Sequence, residues 1–444
     1  MTQRGLVVAL LSFGLLLAGL AARKGDVALL ALPFLVYLAT GILRTPPADE
    51  LRLAAERAVT RETERTEGDK SGVRGEMRIT IRNAGGQAVL LRLVEPLQPG
   101  LELVEWPDLK RDKGVLSGWL ALDAGEERAS RYAFIAARGR YRWQAVRVIA
   151  TDPFGLFASE LMLPAVAELE VQPRAGKFRA LALPPCATLR SPGTLPARLA
   201  GRGTDFWGVR EYYPGDPLRR IDWRLAARHP GQFFTREFEQ EEVADAGIIL
   251  DARRKADVRL GDESLFEHSV QAAGSLAETL LGQGHRVSLL VFGDELATVF
   301  PGYSRVQLQR IRHCLAKAKV GLTDNRVTLG YLPLGMFSTR ALVVVFSALA
   351  PGDRVLFSRL RARGNRAVLV CPDALAFAAP GVGAELADRL ALRACRAERR
   401  LELRQVAAEH VCVVDWSVDQ PLAPLLQDAL RAGRGSFGGR GAIR

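Results

Sequence analysis

Two long uncharged segments near the start of the 444-residue chain constrain its fold most strongly. Gly5 to Ala22 is a run of 18 residues and Val27 to Leu43 is a run of 17, with only four residues between them. At 1.5 Å per residue each helix would span about 25–27 Å, close to a hydrocarbon core of about 30 Å. Because so short a link forces an antiparallel arrangement, residues 1–50 predict a transmembrane α-hairpin whose partner is the lipid bilayer.

Lysine and arginine near the ends of the two segments predict the orientation of the hairpin. The link carries Arg23 and Lys24, whereas the other side carries Arg4, Arg44, Arg52, Arg57 and Arg61. This excess predicts two spans in the inner (cytoplasmic) membrane, with the soluble body in the cytoplasm. The alternative is a cleaved signal peptide, since Gly19-Leu20-Ala21 resembles a cleavage site.

Period-two alternation predicts an all-β sandwich domain over residues 73–173. In the segment EMRITIRN, Met77, Ile79 and Ile81 fall on one face of a strand, and the Asn-Ala-Gly-Gly that begins at Asn83 turns the chain. Further strand-like runs follow, at 87–93, 115–122, 130–137, 141–150 and 166–172.

Other segments lack this periodicity. Residues 51–72 are polar and predict a juxtamembrane connector, and the DPFG tetrapeptide at 152–155 predicts a tight turn. Residues 174–243 predict an exposed Pro/Gly connector followed by a dense polar and aromatic stretch. The Gly/Arg-rich residues 433–444 predict a disordered tail.

Residues 244–432 alternate short apolar strands with helical patterns. The strands are predicted at 246–250, 286–292, 295–300, 340–346, 366–371 and 410–415. Helices are predicted at 262–281, with Asp262 as the N-cap, and at 304–319, 353–363, 384–405 and 421–431. Apolar strands that alternate with helices indicate a parallel sheet covered on both faces. The chain is therefore predicted to be multidomain, with an α/β domain after the sandwich.

The net charge of +12 is compatible with nucleic-acid binding, but its distribution is not. Between Asp205 and Glu242 six arginines face eight carboxylates, whereas a nucleic-acid site shows a one-sided basic excess. Nucleic acid is therefore not a predicted partner. Balanced charges among aromatic residues instead predict bidentate ion pairs stacked on rings. The stretch could plug the connector against the α/β domain or form a docking surface for a partner.

The residues that stand out in this signature stretch are Asp205, Arg210, Glu211, Tyr212, Pro214, Gly215, Asp216, Arg219, Arg220, Asp222, Trp223, Arg236 and Glu237. Its sequence, GRGTDFWGVREYYPGDPLRRIDWRLAAR and then REFEQEE, resembles the family called domain of unknown function 58. RGRYRWQAVRV at residues 138–148, DPFGLF at 152–157 and the apolar hairpin share that resemblance.

The resemblance implies a C-terminal α/β domain similar to the von Willebrand factor A (Rossmann-type) fold. It also implies a MoxR-type AAA+ ATPase as a partner, together with other membrane von Willebrand factor A-like proteins. Many von Willebrand factor A domains bind Mg²⁺ through an Asp-x-Ser-x-Ser loop, a threonine and a later aspartate.

This set of metal ligands is degenerate in the present sequence. Asp251 and Thr323 match, but Arg253 and Lys255 replace the two serines, and Ser347 follows the fourth strand where the aspartate is expected. No metal and no cofactor are therefore predicted. Asp251, Arg253, Lys255, Thr323 and Ser347 are instead predicted to contact an acidic group of a partner. Alternatively, Arg253 and Lys255 pair with local acids such as Asp257 and Asp324.

The sequence contains no G-x-x-x-x-G-K-[ST], G-x-S-x-G or H-E-x-x-H motif, and its five histidines are scattered. The first functional hypothesis is therefore a membrane-anchored, non-enzymatic scaffold that presents its α/β domain to an AAA+ ATPase in protein assembly or activation. The alternative is a membrane-bound hydrolase or peptidase-like enzyme with a site at the sandwich–α/β junction.

Overall fold

The fold is seen in a computed structural model that describes residues 1–44, 51–61, 72–174, 176, 178, 181, 196–241, 244–261, 263–322, 328–381, 383 and 385–435. The chain divides into two compact units, Met1–Val171 and Gln172–Arg444.

The first unit begins with apolar helices whose side chains are largely exposed. They are α1 (Gln3–Ala21), α2 (Gly25–Leu29) and α3 (Leu32–Arg44). Two 19-residue segments, Gln3–Ala21 and Gly25–Leu43, are long and apolar enough to cross a membrane. Exposed leucine, valine and phenylalanine side chains distinguish them from the core helices of a soluble domain.

The second apolar segment is interrupted between α2 and α3. Pro33 is the second residue of α3. Near the start of a helix the backbone N–H groups have no acceptor within the helix, so the N–H that proline lacks costs no hydrogen bond. Small residues let the two segments approach closely. A Cβ added at Gly19 would lie 2.6 Å from the backbone nitrogen of Ala28.

Nine strands of the described residues build the sandwich of the first unit. They are β1 (Leu53–Arg61), β2 (Val73–Asn83), β3 (Val89–Pro96), β4 (Leu101–Glu105), β5 (Lys110–Asp112), β6 (Val115–Leu122), β7 (Glu127–Ala136), β8 (Gly139–Thr151) and β9 (Ala158–Val171). One antiparallel sheet has the order β1-β2-β7-β4 and the other β5-β6-β3-β8-β9. The predicted face of Met77, Ile79 and Ile81 is confirmed, since all three are at most 1% exposed.

The connector predicted over residues 51–72 is wrong for its first half. Leu53–Arg61 forms β1, which pairs with β2 in the antiparallel register Arg57↔Ile79. The inward positions of β1 include Arg57, which is buried. A charged side chain at a core position breaks the alternation by which strands are recognised.

Arg57 lies at the centre of a buried polar network between the two sheets. Its Nη2 lies 2.5 Å from Oε2 of Glu95 on β3, and its guanidinium carbon lies 5.9 Å from the ring centroid of Trp143 on β8. The Tyr132 hydroxyl donates to Oε1 of Glu95 at 3.5 Å. Burial raises the pKa of Glu95 to about 7, although the Arg57 charge opposes that change. Desolvation of the Glu95 carboxylate therefore outweighs its attraction to Arg57.

Removing only one partner of this pair is expected to be far more harmful than removing both. Arg57→Ala leaves Glu95 buried without a cation and should destabilise the sandwich by about 3–5 kcal/mol. The double variant Arg57→Met, Glu95→Leu keeps the volume, removes both charges and should lie close to the wild type. Hydrogen exchange of the β2 and β7 amides measures both. Equal losses in the two variants would contradict this account.

The second unit contains a separate two-stranded arm and an α/β sheet. The arm strands β10 (Pro196–Glu211) and β11 (Phe234–Glu241) pair antiparallel. The prediction of an irregular connector is therefore wrong from Pro196 onward, where bulges obscure the period of the strand. Residues 182–195, with Cys186, lie outside the described residues.

The large sheet of the second unit is doubly wound. Its strands are β12 (Asp245–Asp251), β15 (Arg286–Phe292), β16 (Leu296–Gly302), β17 (Leu342–Phe346), β18 (Arg366–Pro372) and β19 (Cys412–Trp416), with a short hairpin of β13 (Arg259–Leu260) and β14 (Glu263–Ser264) beside it. The order is β16-β15-β12-β17-β18-β19, and only β16 runs antiparallel among these six. The predicted parallel sheet is confirmed.

Helices cover both faces of this sheet, and buried side chains form one cluster on each face. The helices of the second unit are α4 (Trp223–Arg228), α5 (Leu265–Gly282), α6 (Ser304–Lys317), α7 (Arg354–Ala362), α8 (Ala374–Ala378), α9 (Leu386–Ala408) and α10 (Leu422–Gly435). Ser264 is the N-cap of α5, whereas the predicted cap Asp262 lies outside the described residues. Residues 436–444 of the predicted tail also lie outside them.

The strand order reverses between β12 and β17. In doubly wound sheets a ligand crevice opens at such a point, outside the carboxyl ends of the strands. Asp251 ends β12 and Ser347 directly follows β17, so both predicted site residues lie at this switch point.

Candidate functional site

The switch point holds a buried cluster of charged side chains. Asp251 is 4% exposed, Arg253 6%, Ser347 2% and Asp353 0%. Asp353 directly precedes α7 and lies 100 positions after Arg253. Folding thus brings together two carboxylates and one guanidinium from different elements.

The guanidinium of Arg253 binds both carboxylates in a bidentate manner. Nε and Nη2 donate to Oδ1 and Oδ2 of Asp251 at 2.8 and 2.7 Å. Nη1 and Nη2 donate to Oδ1 and Oδ2 of Asp353 at 3.1 and 2.6 Å. The guanidinium carbon also lies 5.6 Å from the ring centroid of Phe292. Burial alone would lower the pKa of Arg253, but its hydrogen bonds to Asp251 and Asp353 raise it, so the group stays charged.

Neutral donors complete the hydrogen bonding of the two carboxylates. The backbone N–H of Arg253 and the Ser347 hydroxyl donate to Oδ1 and Oδ2 of Asp251 at 3.1 and 2.7 Å. The backbone N–H groups of Leu329 and Ala350 donate to Oδ1 and Oδ2 of Asp353 at 2.8 and 2.7 Å. Each of the four oxygens therefore accepts two hydrogen bonds.

This cluster does not fit the Mg²⁺ site that the family resemblance implies. Mg²⁺ needs free oxygen ligands, and the guanidinium already lies between the two carboxylates and engages every oxygen. Within the described ranges no group of three or more His, Cys, Asp or Glu side chains could hold a metal ion. Thr323 and Asp324 lie outside those ranges.

The predicted role of this cluster as a partner-contact surface needs correction. Asp251, Arg253 and Ser347 are buried and cannot reach a partner, whereas Lys255 is exposed. Arg253 does pair with acids, but not with Asp257, which instead binds the side chains of Arg259 and Ser264. Sequence reasoning missed Asp353, because a Pro-Gly-Asp before a helix has the pattern of an ordinary turn.

A second cluster organises the signature stretch at the end of the arm. Nη2 and Nη1 of Arg210 donate to Oδ1 and Oδ2 of Asp216 at 2.7 and 2.8 Å, and Nε donates to Glu237 at 2.9 Å. The guanidinium carbon lies 5.6 Å from the Tyr213 ring centroid. The predicted bidentate, ring-stacked ion pair is confirmed for Arg210. Hydrogen bonds from Arg210 and from the backbone N–H of Tyr213 lower the pKa of Asp216 to about 2.

Residues 212–233, which we call the arm tip, fold back onto β11. Gly215, with φ of +110°, allows the tight turn that presents Asp216 to Arg210. Asp222 caps α4 by accepting from the backbone N–H of Leu225 at 3.1 Å, and its own N–H donates to the Phe234 carbonyl at 2.8 Å.

The arm tip exposes large apolar side chains. Tyr213 is 63% exposed, Leu218 66%, Trp223 60% and Phe233 51%. The Phe233 ring packs edge-on against Trp223, with ring centroids 6.2 Å apart. Exposed arginines accompany them at positions 219, 224 and 228. A buried plug would cover such side chains, so the exposure favours a docking surface at the tip.

The remaining signature residues occupy the arm and its tip. The Glu211 carbonyl accepts from Arg210 at 2.9 Å, Tyr212 contacts Phe233 edge-on, and Arg236 is exposed on β11. Pro214 is exposed and Arg220 half-buried, and Asp205 contributes its backbone to β10.

Burial holds two cysteines and one histidine of the second unit in their neutral forms. Burial raises the pKa of Cys314 and of Cys371 to about 11. Burial also lowers the pKa of His285 to about 4. These thiols are therefore protonated near neutral pH and are weak nucleophiles.

Residues 208–388 match the model of the family described as protein of unknown function DUF58. The resemblance to this family is confirmed over that stretch. The matched residues run from the arm through β18 and therefore contain both clusters. The uncharacterized protein YeaD of Bacillus subtilis (strain 168) is 31% identical over 93 residues, which are 21% of this chain. The match covers 21% of YeaD, about a fifth of that relative's length.

Similarity to solved structures is weak. A FixG-related protein from Vibrio parahaemolyticus is 15% identical with a TM-score of 0.16, covering 26% of this chain and 94% of that one. The putative ApaA protein from Bordetella pertussis is 11% identical with a TM-score of 0.19, covering 28% of this chain and 94% of that one. Scores this low carry no argument about this chain.

Removing the Arg253 side chain is expected to destabilise the α/β sheet. Arg253→Ala leaves two buried carboxylates without their cation, at a cost of about 3–5 kcal/mol. Hydrogen exchange of the β12 and β17 amides measures this loss. The matched control is Arg254→Ala, which removes an exposed neighbour and should change stability by less than about 0.5 kcal/mol. Similar effects of the two changes would refute the central role of Arg253.

Divalent cations are expected to leave the wild-type domain unaffected. Its melting temperature should be the same in Mg²⁺ and in a chelator, because the guanidinium engages all four carboxylate oxygens. Arg253→Ser should behave differently, since two carboxylates and two hydroxyls would then face the vacated space. We expect Mg²⁺ or Mn²⁺ to raise the melting temperature of this variant alone. A cation-dependent wild type would contradict the assignment.

Proposed function

We propose that this protein is a membrane-anchored, non-enzymatic scaffold that presents the arm tip to a partner protein. The exposed aromatic and arginine side chains of the tip are the observation that carries the proposal. The proposed partner is a MoxR-type AAA+ ATPase, and other membrane von Willebrand factor A-like proteins belong to the same assembly. The proposed role of the scaffold in this complex is the assembly or activation of further proteins.

The two N-terminal apolar segments support the anchor. They have the length of a membrane span, and their exposed apolar side chains need a lipid environment. The arginine excess on the side of the sandwich supports a cytoplasmic position of the body under the positive-inside rule.

The composition and rigidity of the arm tip support a protein interface. Tryptophan, tyrosine and arginine dominate the binding energy of protein interfaces. The ion pairs of Arg210 with Asp216 and Glu237 fix the tip in one conformation. A preformed surface avoids the entropy cost of ordering side chains on binding.

The charge of the arm tip favours an acidic partner surface. The tip carries Arg219, Arg220, Arg224 and Arg228 against two aspartates. One of these aspartates is paired with Arg210 and the other caps α4. The exposed positive charge of Arg219, Arg224 and Arg228 would speed association with a negative surface and fix its register.

The α/β domain is proposed to resemble von Willebrand factor A domains in its strand order, while recognising its partner without a divalent cation. Arg253 supplies the positive charge at the switch point from within the chain. The protonated thiols and neutral His285 favour a binding role over nucleophilic catalysis.

Affinity purification from detergent-solubilised membranes tests the scaffold proposal. The arm-tip variant Arg219→Glu, Trp223→Ser, Arg224→Glu should lose an AAA+ ATPase that co-purifies with the wild type, because charge and aromatic contacts are both removed. Mass spectrometry identifies the bound proteins, and purified components then give the binding affinity.

A matched control variant changes equally exposed side chains on the sandwich. Trp119 is 59% exposed, against 60% for Trp223, and Arg92 and Arg111 are also exposed. Arg92→Glu, Trp119→Ser, Arg111→Glu should retain the ATPase. Loss from both variants, or retention by both, would remove the arm tip as the contact. Absence of an AAA+ ATPase from the wild-type eluate would contradict the proposed partner.

A further inference from the structure

The DPFGLF turn between β8 and β9 contacts the start of the first apolar helix. The backbone N–H of Thr2, the N-cap of α1, donates to the Leu156 carbonyl at 2.8 Å. The Thr2 hydroxyl donates to the carbonyls of Gly155 and Leu156 at 2.7 and 3.0 Å. The turn of the sandwich therefore supplies hydrogen-bond acceptors at the end of an otherwise apolar helix.

Both apolar segments have a glycine where this turn approaches them. A Cβ added at Gly5 of α1 would clash with the Leu156 carbonyl oxygen. A Cβ added at Gly41 of α3 would lie 3.1 Å from Leu156 Cδ1 and 3.2 Å from the Phe157 ring. Leu156 is 1% exposed, so its side chain is enclosed at this contact.

The conformation of the turn is fixed by its own hydrogen bonds. Asp152 is 1% exposed, and its carboxylate accepts from the backbone N–H groups of Phe154 and Phe157 at 3.0 and 2.7 Å. Gly155 adopts φ of +69°, a region that glycine enters without strain. The turn thus presents Phe154 in a defined direction rather than as part of a loose loop.

Phe154 points toward the second apolar segment. Its ring centroid lies 4.9 Å from that of Tyr37 on α3, and the side chain is 38% exposed. Tyr37 lies seven residues before Arg44, where α3 ends, which is about 10 Å along the helix axis. The polar headgroup layer is only about 5–8 Å thick on each side of the hydrocarbon core. With Arg44 at the water-facing edge of the headgroup layer, Phe154 reaches the depth at which acyl chains begin.

We propose that the 152–157 turn is a third membrane-contact element, which inserts Phe154 into the boundary between lipid headgroups and acyl chains. This inference rests on the proposed membrane anchor. Aromatic side chains favour this boundary, and Tyr37 beside Phe154 is a typical residue of it. The sandwich is then seated directly on the bilayer surface, held by the turn as well as by the chain that links it to α3.

Depth-dependent fluorescence quenching tests the insertion of Phe154. Phe154→Cys is introduced into the full-length chain, with every native cysteine except the buried Cys371 replaced by serine, and labelled with an environment-sensitive NBD fluorophore. In phosphatidylcholine vesicles, lipids with a nitroxide near the top of the acyl chain should quench the fluorescence of this label. Quenching at position 154 should be about threefold or more stronger than quenching of the same label at Trp119→Cys. Trp119 is exposed elsewhere on the sandwich and serves as the soluble reference.

A pair of glycine variants tests whether the contact with the helices seats the turn. Gly41→Leu should reduce quenching at position 154 to the level of the reference, because the added side chain meets Leu156 and Phe157. Gly14→Leu is the matched control, since a Cβ there meets nothing within 4 Å. It should leave the quenching unchanged.

The outcomes separate this inference from the anchor on which it rests. Equal quenching at positions 154 and 119, in a chain that resists alkaline carbonate extraction, would overturn the insertion of Phe154 while the anchor stands. Equal responses to Gly41→Leu and Gly14→Leu would overturn the seating by the helices. Extraction of the wild-type chain by carbonate would overturn the anchor and this inference together.

Discussion

The guanidinium of Arg253 between Asp251 and Asp353 holds together the part of the fold where function is expected. It joins the carboxyl end of β12 to the loop before α7, while Ser347 and Leu329 tie two further segments to the same carboxylates. Buried charges are tolerated only when paired and fully hydrogen-bonded, and here each carboxylate oxygen has two donors. A crevice that doubly wound sheets commonly use for ligands is thus closed by a charge of the chain itself.

Arginine has the same structural role in the sandwich and in the arm. Arg57 pairs with Glu95 inside the sandwich, and Arg210 fixes the arm tip through Asp216 and Glu237. In two of the three places the guanidinium binds a carboxylate in a bidentate manner, and in all three an aromatic ring lies beside it. A planar fork with five donors suits this task better than the single ammonium of lysine.

Arginines that form these internal ion pairs have a structural role, whereas exposed arginines are available to a partner. Arg253 at the switch point and Arg57 in the sandwich are buried, whereas the arginines of the arm tip, apart from half-buried Arg220, are exposed. The proposed recognition surface is accordingly the arm tip rather than the strand tips, and the proposed membrane contact is the 152–157 turn. The signature stretch and DPFGLF, the most distinctive sequence motifs, then serve two different surfaces.

The sequence by itself determined the features that depend on local patterns. The length of the apolar runs indicated the hairpin, the period of two placed Met77, Ile79 and Ile81 in a core, and the β–α alternation indicated the parallel sheet. The pattern failed for β1 because Arg57 occupies an inward position, and for β10 because bulges interrupt its period. Only the tertiary structure decided which charges meet. Asp353 lies 100 positions from Arg253, and hydrophobic periodicity specifies which face is buried but not which distant ion will neutralise a charge there.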